Sequence, residues 1–169
     1  IKFNPEGDTL WRREYQSRDG FQDHLWDVHA DNSGNVYVTG VSTDYNSETT
    51  LRTLKYSSTG ALLWQRTDSI ETKQQNNGFT IEAYLAEGPD GNIYICTNDL
   101  GLLHMIRYTP AGAKVWSKVT SIPQGIAYMF VRGFEVNSLG MIISTEFVDN
   151  VNYQYNVLGL KCNYNGDTL

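Results

Sequence analysis

The sequence is poor in cationic residues and in long apolar runs, and each shortage excludes a class of function. Thirteen Lys and Arg residues against nineteen Asp and Glu residues give a net charge of −6, and the cations form no cluster. Binding of nucleic acid or of an anionic membrane surface requires a concentrated cationic surface, so neither is expected. No apolar run approaches the roughly 18 residues of a membrane span, so no membrane insertion is expected.

Cysteine and nucleophile motifs are also scarce. The chain contains two cysteines, Cys96 and Cys162, whose spacing matches no metal site or disulfide framework. We interpret both as small buried hydrophobic residues. The sequence contains neither a Gly-x-Ser-x-Gly motif nor a phosphate-binding loop. It therefore assigns no catalytic residue, no metal ligand and no cofactor.

What the sequence does contain is a long repeat. An apolar residue, a cation and an aromatic residue are followed, four positions after the aromatic, by a glycine, and in the complete copies a tryptophan follows four positions later. The copies begin at Ile1, Leu54, Ile106 and Leu160, which are 53, 52 and 54 residues apart, and Cys162 takes the aromatic position of the last copy. Aromatic residues make up 12% of the chain, which favours a β-rich fold.

A second motif recurs in register with the first and is centred on Gly34, Gly91 and Gly140. Each glycine lies between short runs of β-branched and aromatic residues, where a residue that tolerates positive φ lets the chain reverse. The turns predict strands at 25–30, 36–41, 51–57 and 61–66, at 81–86, 92–97, 103–108 and 113–118, and at 130–136, 141–147 and 155–162. Runs such as Val36-Tyr37-Val38 are apolar at successive positions, which indicates strands covered on both faces.

Four-stranded units that are covered on both faces stack as the blades of a β-propeller. We therefore predict an all-β fold, a β-propeller segment of about three four-stranded antiparallel blades. Residues 1–16 are expected to form the outer hairpin of one blade, 21–67 a second blade, 79–119 a third, and 127–169 most of a fourth without its last strand. Propellers usually close with about four to eight blades, so we expect a segment of a longer protein, or else a fragment that closes with other copies.

The two motifs resemble the bacterial β-propeller repeats of the SBBP type, often called seven-bladed. The resemblance rests on D-x-x-G-N-x-Y-V-T-G at 31–40 and K-Y-x-x-x-G-x-x-x-W at 55–64, and it covers nearly the whole chain. It implies an extracellular or cell-surface bacterial protein, with a signal peptide outside the sequence given. Met141-Ile142-Ile143 departs from the Asn-x-Tyr of the pattern, and this departure argues against a ligand site encoded in every repeat.

The repeated side chains have structural interpretations. Trp11, Trp64 and Trp116 follow a Gly-x-x-x-Trp spacing similar to the docking motif of quinoprotein propellers, which implies that each ring packs on the adjacent blade. Asp31 and Asp90 begin or lie in turns, and we interpret them as turn residues rather than calcium ligands, because a calcium loop needs several alternating carboxylates. The cations of the repeat are expected to face solvent; they are Lys2, Lys55, Arg107 and Lys161.

The candidate binding surface comes from the connections that vary in length, at 42–50, 68–78, 98–101, 120–126 and 146–152. Propeller geometry gathers such loops on one face around the central channel, and loops commonly carry function. Amide and aromatic side chains on this face suit a carbohydrate, and they equally suit a protein partner. The candidate binding residues are Asp23, His24, Trp26, Gln75, Asn76, Asn77, Tyr128, Arg132 and Tyr153.

Arg132 aligns with Trp26 on the innermost strand, where a cation requires a partner. The expected partner is Asp27, Glu82 or Glu135, in a structural ion pair or a substrate clamp. Two hypotheses on function follow.

The first hypothesis is a non-catalytic binding or scaffold module that presents its loops to a protein or carbohydrate, with further blades or other copies at its open edges. The second is an enzyme propeller, quinoprotein-like or glycan-cleaving, with a site at the channel mouth. Carboxylates converging on Arg132 in an open channel would favour the enzyme. A channel filled by Trp26, Phe130 and Phe134 would favour the binding module.

Overall fold

All the predicted strands are present in the computed structural model. The structure describes residues 1–17, 20–46, 48–73, 81–99, 102–121, 126–149 and 151–169, with the backbone alone for 20, 21, 71–73, 99, 121, 126–128 and 149. The strands are β1 (Lys2–Phe3), β2 (Thr9–Trp11), β3 (Gly20–Ala30), β4 (Val36–Asp44), β5 (Glu48–Tyr56), β6 (Leu62–Lys73), β7 (Ala83–Glu87), β8 (Ile93–Asp99), β9 (Leu102–Tyr108), β10 (Lys114–Ser121), β11 (Ile126–Asn137), β12 (Gly140–Asp149) and β13 (Tyr155–Cys162).

The strands form antiparallel sheets in which each strand pairs with its neighbour in sequence. We call them the leading hairpin (β1–β2), the first blade (β3–β6), the second blade (β7–β10) and the third blade (β11–β13). The fold is all-β, with propeller-like blades of four, four and three strands, and the described residues do not form a closed ring. The described part contains no helix suited to spanning a membrane.

The hydrophobic cores lie between the blades and not within them, because central strands such as β8 and β9 are apolar and buried on both faces. The first core joins the first and second blades and contains, among others, Tyr37, Leu51, Leu85, Ile93 and Tyr108. The second core joins the second and third blades and contains, among others, Tyr94, Met105, Val131, Met141 and Ile143. Both cysteines are free and buried in this second core, which confirms their interpretation as small hydrophobic residues.

One blade face is left partly uncovered. A cavity of about 370 Å³ lies between the leading hairpin and the first blade. Leu25 and Val28 line this cavity and are 62% and 64% exposed, whereas Leu85, which aligns with Val28 in the second blade, is 6% exposed. In the second blade a neighbouring four-stranded sheet therefore covers this position, whereas in the first blade the two-stranded leading hairpin leaves it largely exposed.

The strands extend further into the variable connections than the sequence predicts. The segment 42–50 was expected to be a loop, but Thr43 of β4 pairs with Thr49 of β5. Their hydroxyl oxygens are 3.1 Å apart, and the carboxylate of Asp44 accepts a 2.9 Å bond from the amide of Glu48 across the turn. The prediction of a long loop here was wrong, because β-branched threonines continue the pairing to a tight turn.

Each repeated tryptophan docks on the blade that follows it, as the spacing predicts. Nε1 of Trp64 donates to the carbonyl of Pro110 at 3.0 Å, and the indole covers Gly112 at the same turn. Beside it, Nε of Arg66 donates to the carbonyl of Gly112 at 2.5 Å. The corresponding bonds elsewhere join Trp11 to the Ser58 carbonyl at 3.0 Å and Trp116 to the Tyr164 carbonyl at 3.1 Å.

The expectation that the repeated cations face solvent was wrong for Lys55, which is 7% exposed. Its ammonium donates to the carbonyl of Pro110 at 3.1 Å, and it lies 3.7 Å from Asp31 Oδ2 and 4.6 Å from the centre of the Tyr37 ring. Lys55 pairs with Tyr37, so its side chain lies on the face of the blade that carries the first core, and the second blade covers it. Two more of these cations are bound: Lys2 by the Gly34 carbonyl and Arg107 by Asp90. Lys161 is exposed as predicted.

The turn predicted at Asp31 is formed. Its Oδ1 atom accepts bonds from the backbone amides of Ser33 at 3.0 Å and Asn35 at 2.9 Å. Burial alone would raise the pKa of this carboxyl, but these bonds and the charge of Lys55 outweigh burial and lower it. Asp31 thus holds both its turn and the buried lysine.

We expect Lys55→Ala to lower the free energy of unfolding by about 2 kcal/mol, because it leaves the partly buried Asp31 carboxylate without its counter-charge. Urea denaturation followed by tryptophan fluorescence measures the change. Lys161→Ala is the matched control at the equivalent, exposed position, and it should change stability by less than about 0.5 kcal/mol. Equal effects at the two positions would contradict the structural role of Lys55.

Candidate functional site

The first strands of the three blades, β3, β7 and β11, contact each other in sequence order. Between β3 and β7, the carboxylate of Asp27 accepts a 2.9 Å bond from the amide of Leu85. A ring nitrogen of His29 lies 3.0 Å from the carboxylate of Glu87. These polar contacts join the blades beside their apolar cores.

Between the second and third blades, the link is a cluster centred on Arg132. Its Nη1 donates to Glu82 Oε1 at 3.2 Å and its Nε donates to Glu146 Oε2 at 2.9 Å. The guanidinium carbon lies 4.9 Å from the centre of the Phe130 ring. We call Arg132, Glu82, Glu146 and the neighbouring Tyr84 the Arg132 cluster. In this cluster the ion pair of Arg132 with Glu82 joins two blades, and the ion pair of Arg132 with Glu146 joins adjacent strands of one blade.

The two carboxylates of the cluster have different surroundings. The Glu82 side chain is 15% exposed and that of Glu146 is 31% exposed. Glu82 Oε2 is buried and accepts no hydrogen bond within the described residues. Burial raises the pKa of Glu82, although Arg132 opposes the shift. Burial and the charge of Glu82 likewise raise the pKa of Tyr84. The hydrogen bond to Glu146 raises the pKa of Arg132, so its charge is secure.

Of the three partners predicted for Arg132, the structure confirms Glu82. Asp27 instead binds the Leu85 amide, and Glu135 accepts a 3.2 Å bond from the side chain of Asn137. Glu146 was not predicted as a partner of Arg132, because it was counted in the variable connection 146–152 although it also lies within the predicted strand 141–147. β12 continues through it and pairs Glu146 with Phe130 of β11. The sequence did contain a signal, because antiparallel pairing of the predicted strands 130–136 and 141–147 places Glu146 opposite the start of the strand that carries Arg132.

The other candidate residues do not all join this cluster. Asp23 accepts bonds from the Ser17 amide at 2.9 Å and the Ser42 hydroxyl at 2.6 Å, and it is thus held by its own part of the chain. Burial would raise the pKa of Asp23, but these bonds outweigh it and lower the pKa. His24 is exposed in β3.

Trp26 is half-buried against the first core, and its Nε1 has no hydrogen-bond partner in the part of the chain that is described. Tyr153 is 70% exposed in the connection before β13, with a left-handed φ of 54°. Gln75, Asn76 and Asn77 lie outside the described residues, and so does the side chain of Tyr128 in β11. Among described residues, no group of three or more His, Cys, Asp or Glu is arranged to hold a metal ion.

The fold and the cluster define a class, an all-β assembly of propeller-like blades with a charged cluster between two of them. Neither a protein-family model nor a curated protein matches the chain. The resemblance to SBBP-type repeats accordingly stays a prediction from the residues that carry it.

The carboxyl groups provide a test of these surroundings. We expect Glu82 to titrate above the ordinary value of about 4.3 and Asp90 below the ordinary value of about 3.9. At Asp90, burial is outweighed by bonds from Asn92 and Tyr94 and by the charge of Arg107, so the pKa is lowered. Carboxyl ¹³C chemical shifts followed against pH measure both values.

The two shifts affect stability in opposite directions. The contribution of Asp90 is present above its unfolded pKa and is lost as pH falls through its folded pKa. The contribution of Glu82 is present below its unfolded pKa and is lost as pH rises through its folded pKa. A Glu82 midpoint below the ordinary value would contradict the burial described for this carboxylate.

Proposed function

We propose that this protein is a non-catalytic binding module, whose blades present the Arg132 cluster and the adjacent loops to a protein or carbohydrate ligand. The observation that carries the proposal is the state of Arg132, whose side chain is 47% exposed although Glu82 and Glu146 fix its guanidinium. An ordered, exposed arginine loses little conformational entropy on binding, and arginine is enriched at binding hot spots. In this proposal the protein is secreted or attached to a bacterial surface, and further blades or other copies cover the open faces.

The contacts of the cluster favour binding over catalysis. Each glutamate commits one carboxylate oxygen to Arg132, so the charges partly compensate each other. Trp26 packs against the first core and Phe134 against the second, where they support the inner strands. The guanidinium of Arg132 is itself held by two glutamates and the Phe130 ring, which suits recognition of a ligand with complementary polar groups.

The test compares Arg132→Ala with wild type against a glycan array and a displayed random-peptide library. We expect the wild-type protein to select ligands from one of these and Arg132→Ala to bind them about tenfold or more weakly, as a hot-spot residue does. Arg12→Ala is the matched control, because Arg12 is an exposed, ion-paired arginine of the leading hairpin. Circular dichroism verifies folding, and Arg132→Lys tests charge without the fork geometry. Undiminished binding by Arg132→Ala would overturn the proposal.

A second candidate function rests on one observation, the convergence of two carboxylates on Arg132. Glycoside hydrolysis uses two carboxyl groups, one of them an acid of raised pKa, and burial raises the pKa of Glu82 in this cluster. In this case 4-nitrophenyl glycosides should be cleaved, and Glu82→Gln and Glu146→Gln should each reduce the rate at least about a hundredfold. Glu135→Gln is the control. Absence of turnover by the wild-type protein rejects this candidate and leaves the binding module.

A further inference from the structure

A second polar cluster lies between the first and second blades, at the opposite side of the first core from β3. Asp68 of β6 has 4% of its side chain exposed. The Tyr108 hydroxyl donates to its Oδ2 atom, and the Lys114 ammonium contacts its Oδ1 atom. Both partners belong to the second blade, so the carboxylate of one blade is enclosed by groups of the next.

Blade stacking does not require this carboxylate or its lysine. The repeat aligns Asp68 with Thr120 and Lys114 with Leu62, whereas the tyrosine is kept as Tyr56. Trp64 docks its blade where the carboxylate is present, and Trp116 docks its blade where the carboxylate is absent. Residues shared by the units maintain the blades, and a buried ion pair restricted to one unit is available for another role.

A cavity of about 390 Å³ opens beside this ion pair. Its wall combines Asp68 and Ser69 of β6 with His104, Ile106, Lys114 and Ser117 of the second blade. The volume lies within the range of small-molecule sites. The Lys114 side chain is 45% exposed although its ammonium contacts the buried carboxylate, so the lysine side of this ion pair is accessible to solvent.

We propose that this cavity binds a primary alkylammonium group, which replaces the ammonium of Lys114 against Asp68. The exchange of one ammonium for another leaves the buried carboxylate paired, whereas an anion would bring uncompensated charge into the site. Lysine has a flexible stem and can move its charge into solvent. The alkyl chain of the ligand then lies along Ile106, with the Ser117 hydroxyl at the mouth of the cavity. Lysine side chains of a partner and free diamines share this chemistry.

Lys114 acts in this proposal as a competitor tethered to the protein. A short tether gives a group an effective concentration on the order of millimolar or more, so the free site is hidden from dilute ligand. Removal of the lysine charge should then strengthen binding of an alkylammonium. A purely structural ion pair gives no such gain.

Isothermal titration with cadaverine and with Nα-acetyl-lysine methylamide tests the proposal and separates the two sources. We expect Lys114→Gln to bind at least one of these probes about tenfold or more tightly than wild type, and Asp68→Asn to abolish binding in either background. Lys161→Gln is the matched control and should bind as wild type does. Tighter binding of cadaverine alone indicates a free amine, and tighter binding of the lysine derivative indicates a lysine side chain. Unchanged affinity in Lys114→Gln, or binding retained by Asp68→Asn, overturns the proposal.

A measurement on the wild-type protein covers the case in which Lys114→Gln fails to fold. The ¹⁵N signal of the Lys114 ammonium should move toward that of an exposed lysine as cadaverine is added, while the signal of Lys55 stays in place. No movement up to 50-fold molar excess over about 1 mM protein also overturns the proposal, given the effective concentration estimated for the tether. This site is distinct from the Arg132 cluster, so either proposal can fail alone.

Discussion

Trp64→Ala is expected to lower the free energy of unfolding by about 4 kcal/mol, the largest effect that we predict for a single side chain. The indole lies over Gly112 and packs against the rings of Tyr37 and Tyr108, with centroid distances of 5.9 and 6.1 Å. Alanine leaves a cavity between the first two blades and also removes the Nε1 bond to Pro110. Urea denaturation monitored by circular dichroism measures the loss.

The neighbouring Leu63 provides the control for this experiment. It is 52% exposed in the same strand, so Leu63→Ala should cost less than about 1 kcal/mol. If Trp64→Ala and Leu63→Ala are equally mild, the tryptophan does not hold the blades together, and the docking described for all three tryptophans is wrong.

Gly112→Ala is expected to lower the free energy of unfolding by about 4 kcal/mol, from backbone strain together with overpacking. The residue has a φ of +82°, and an added Cβ would lie 2.8 Å from Cδ2 of Trp64. Relief of this contact requires the indole or the turn to move, which weakens the bond to Pro110. The same denaturation experiment measures the effect.

Gly91→Ala separates the two causes. Gly91 has a φ of +72°, but an added Cβ would meet no atom within 4 Å. Its substitution should therefore cost only the strain of a left-handed alanine, about 1 kcal/mol. Equal losses at Gly91 and Gly112 would mean that the tryptophan contact adds nothing beyond the backbone conformation.

The order and pairing of the strands could be predicted because the signals are local. The glycines of the turns at Gly34, Gly91 and Gly140 have φ values of 77°, 72° and 120°, the conformation for which glycine was expected there. Tryptophan docking could also be predicted, since each ring reaches the turn of the following repeat. Local periodicity predicted the end of β4 and the start of β5 less accurately, because threonines extend the pairing beyond the predicted strands.

Contacts between blades could be predicted less well, because they depend on how one sheet lies against the next. The repeat pattern assigned Lys55 to a solvated face of β5, but it does not show that the second blade covers this face. Likewise, the alignment placed Arg132 on an inner strand that needs a carboxylate, and Glu82 was among the candidates. Glu146 was missed because it was counted in the variable connection 146–152, although it lies within the predicted strand 141–147 and pairs with β11.

Because the cores lie between the blades, we expect the molecule to unfold blade by blade from an end of the array. Each blade is stabilised by its immediate neighbours alone, as in other linear repeat arrays. Amide protons of β4, β5, β8, β9 and β12 should therefore exchange most slowly, since they belong to strands flanked on both sides within their own sheets. Opening should begin with the leading hairpin, whose strands have only two and three residues and which Trp11 anchors to the first blade.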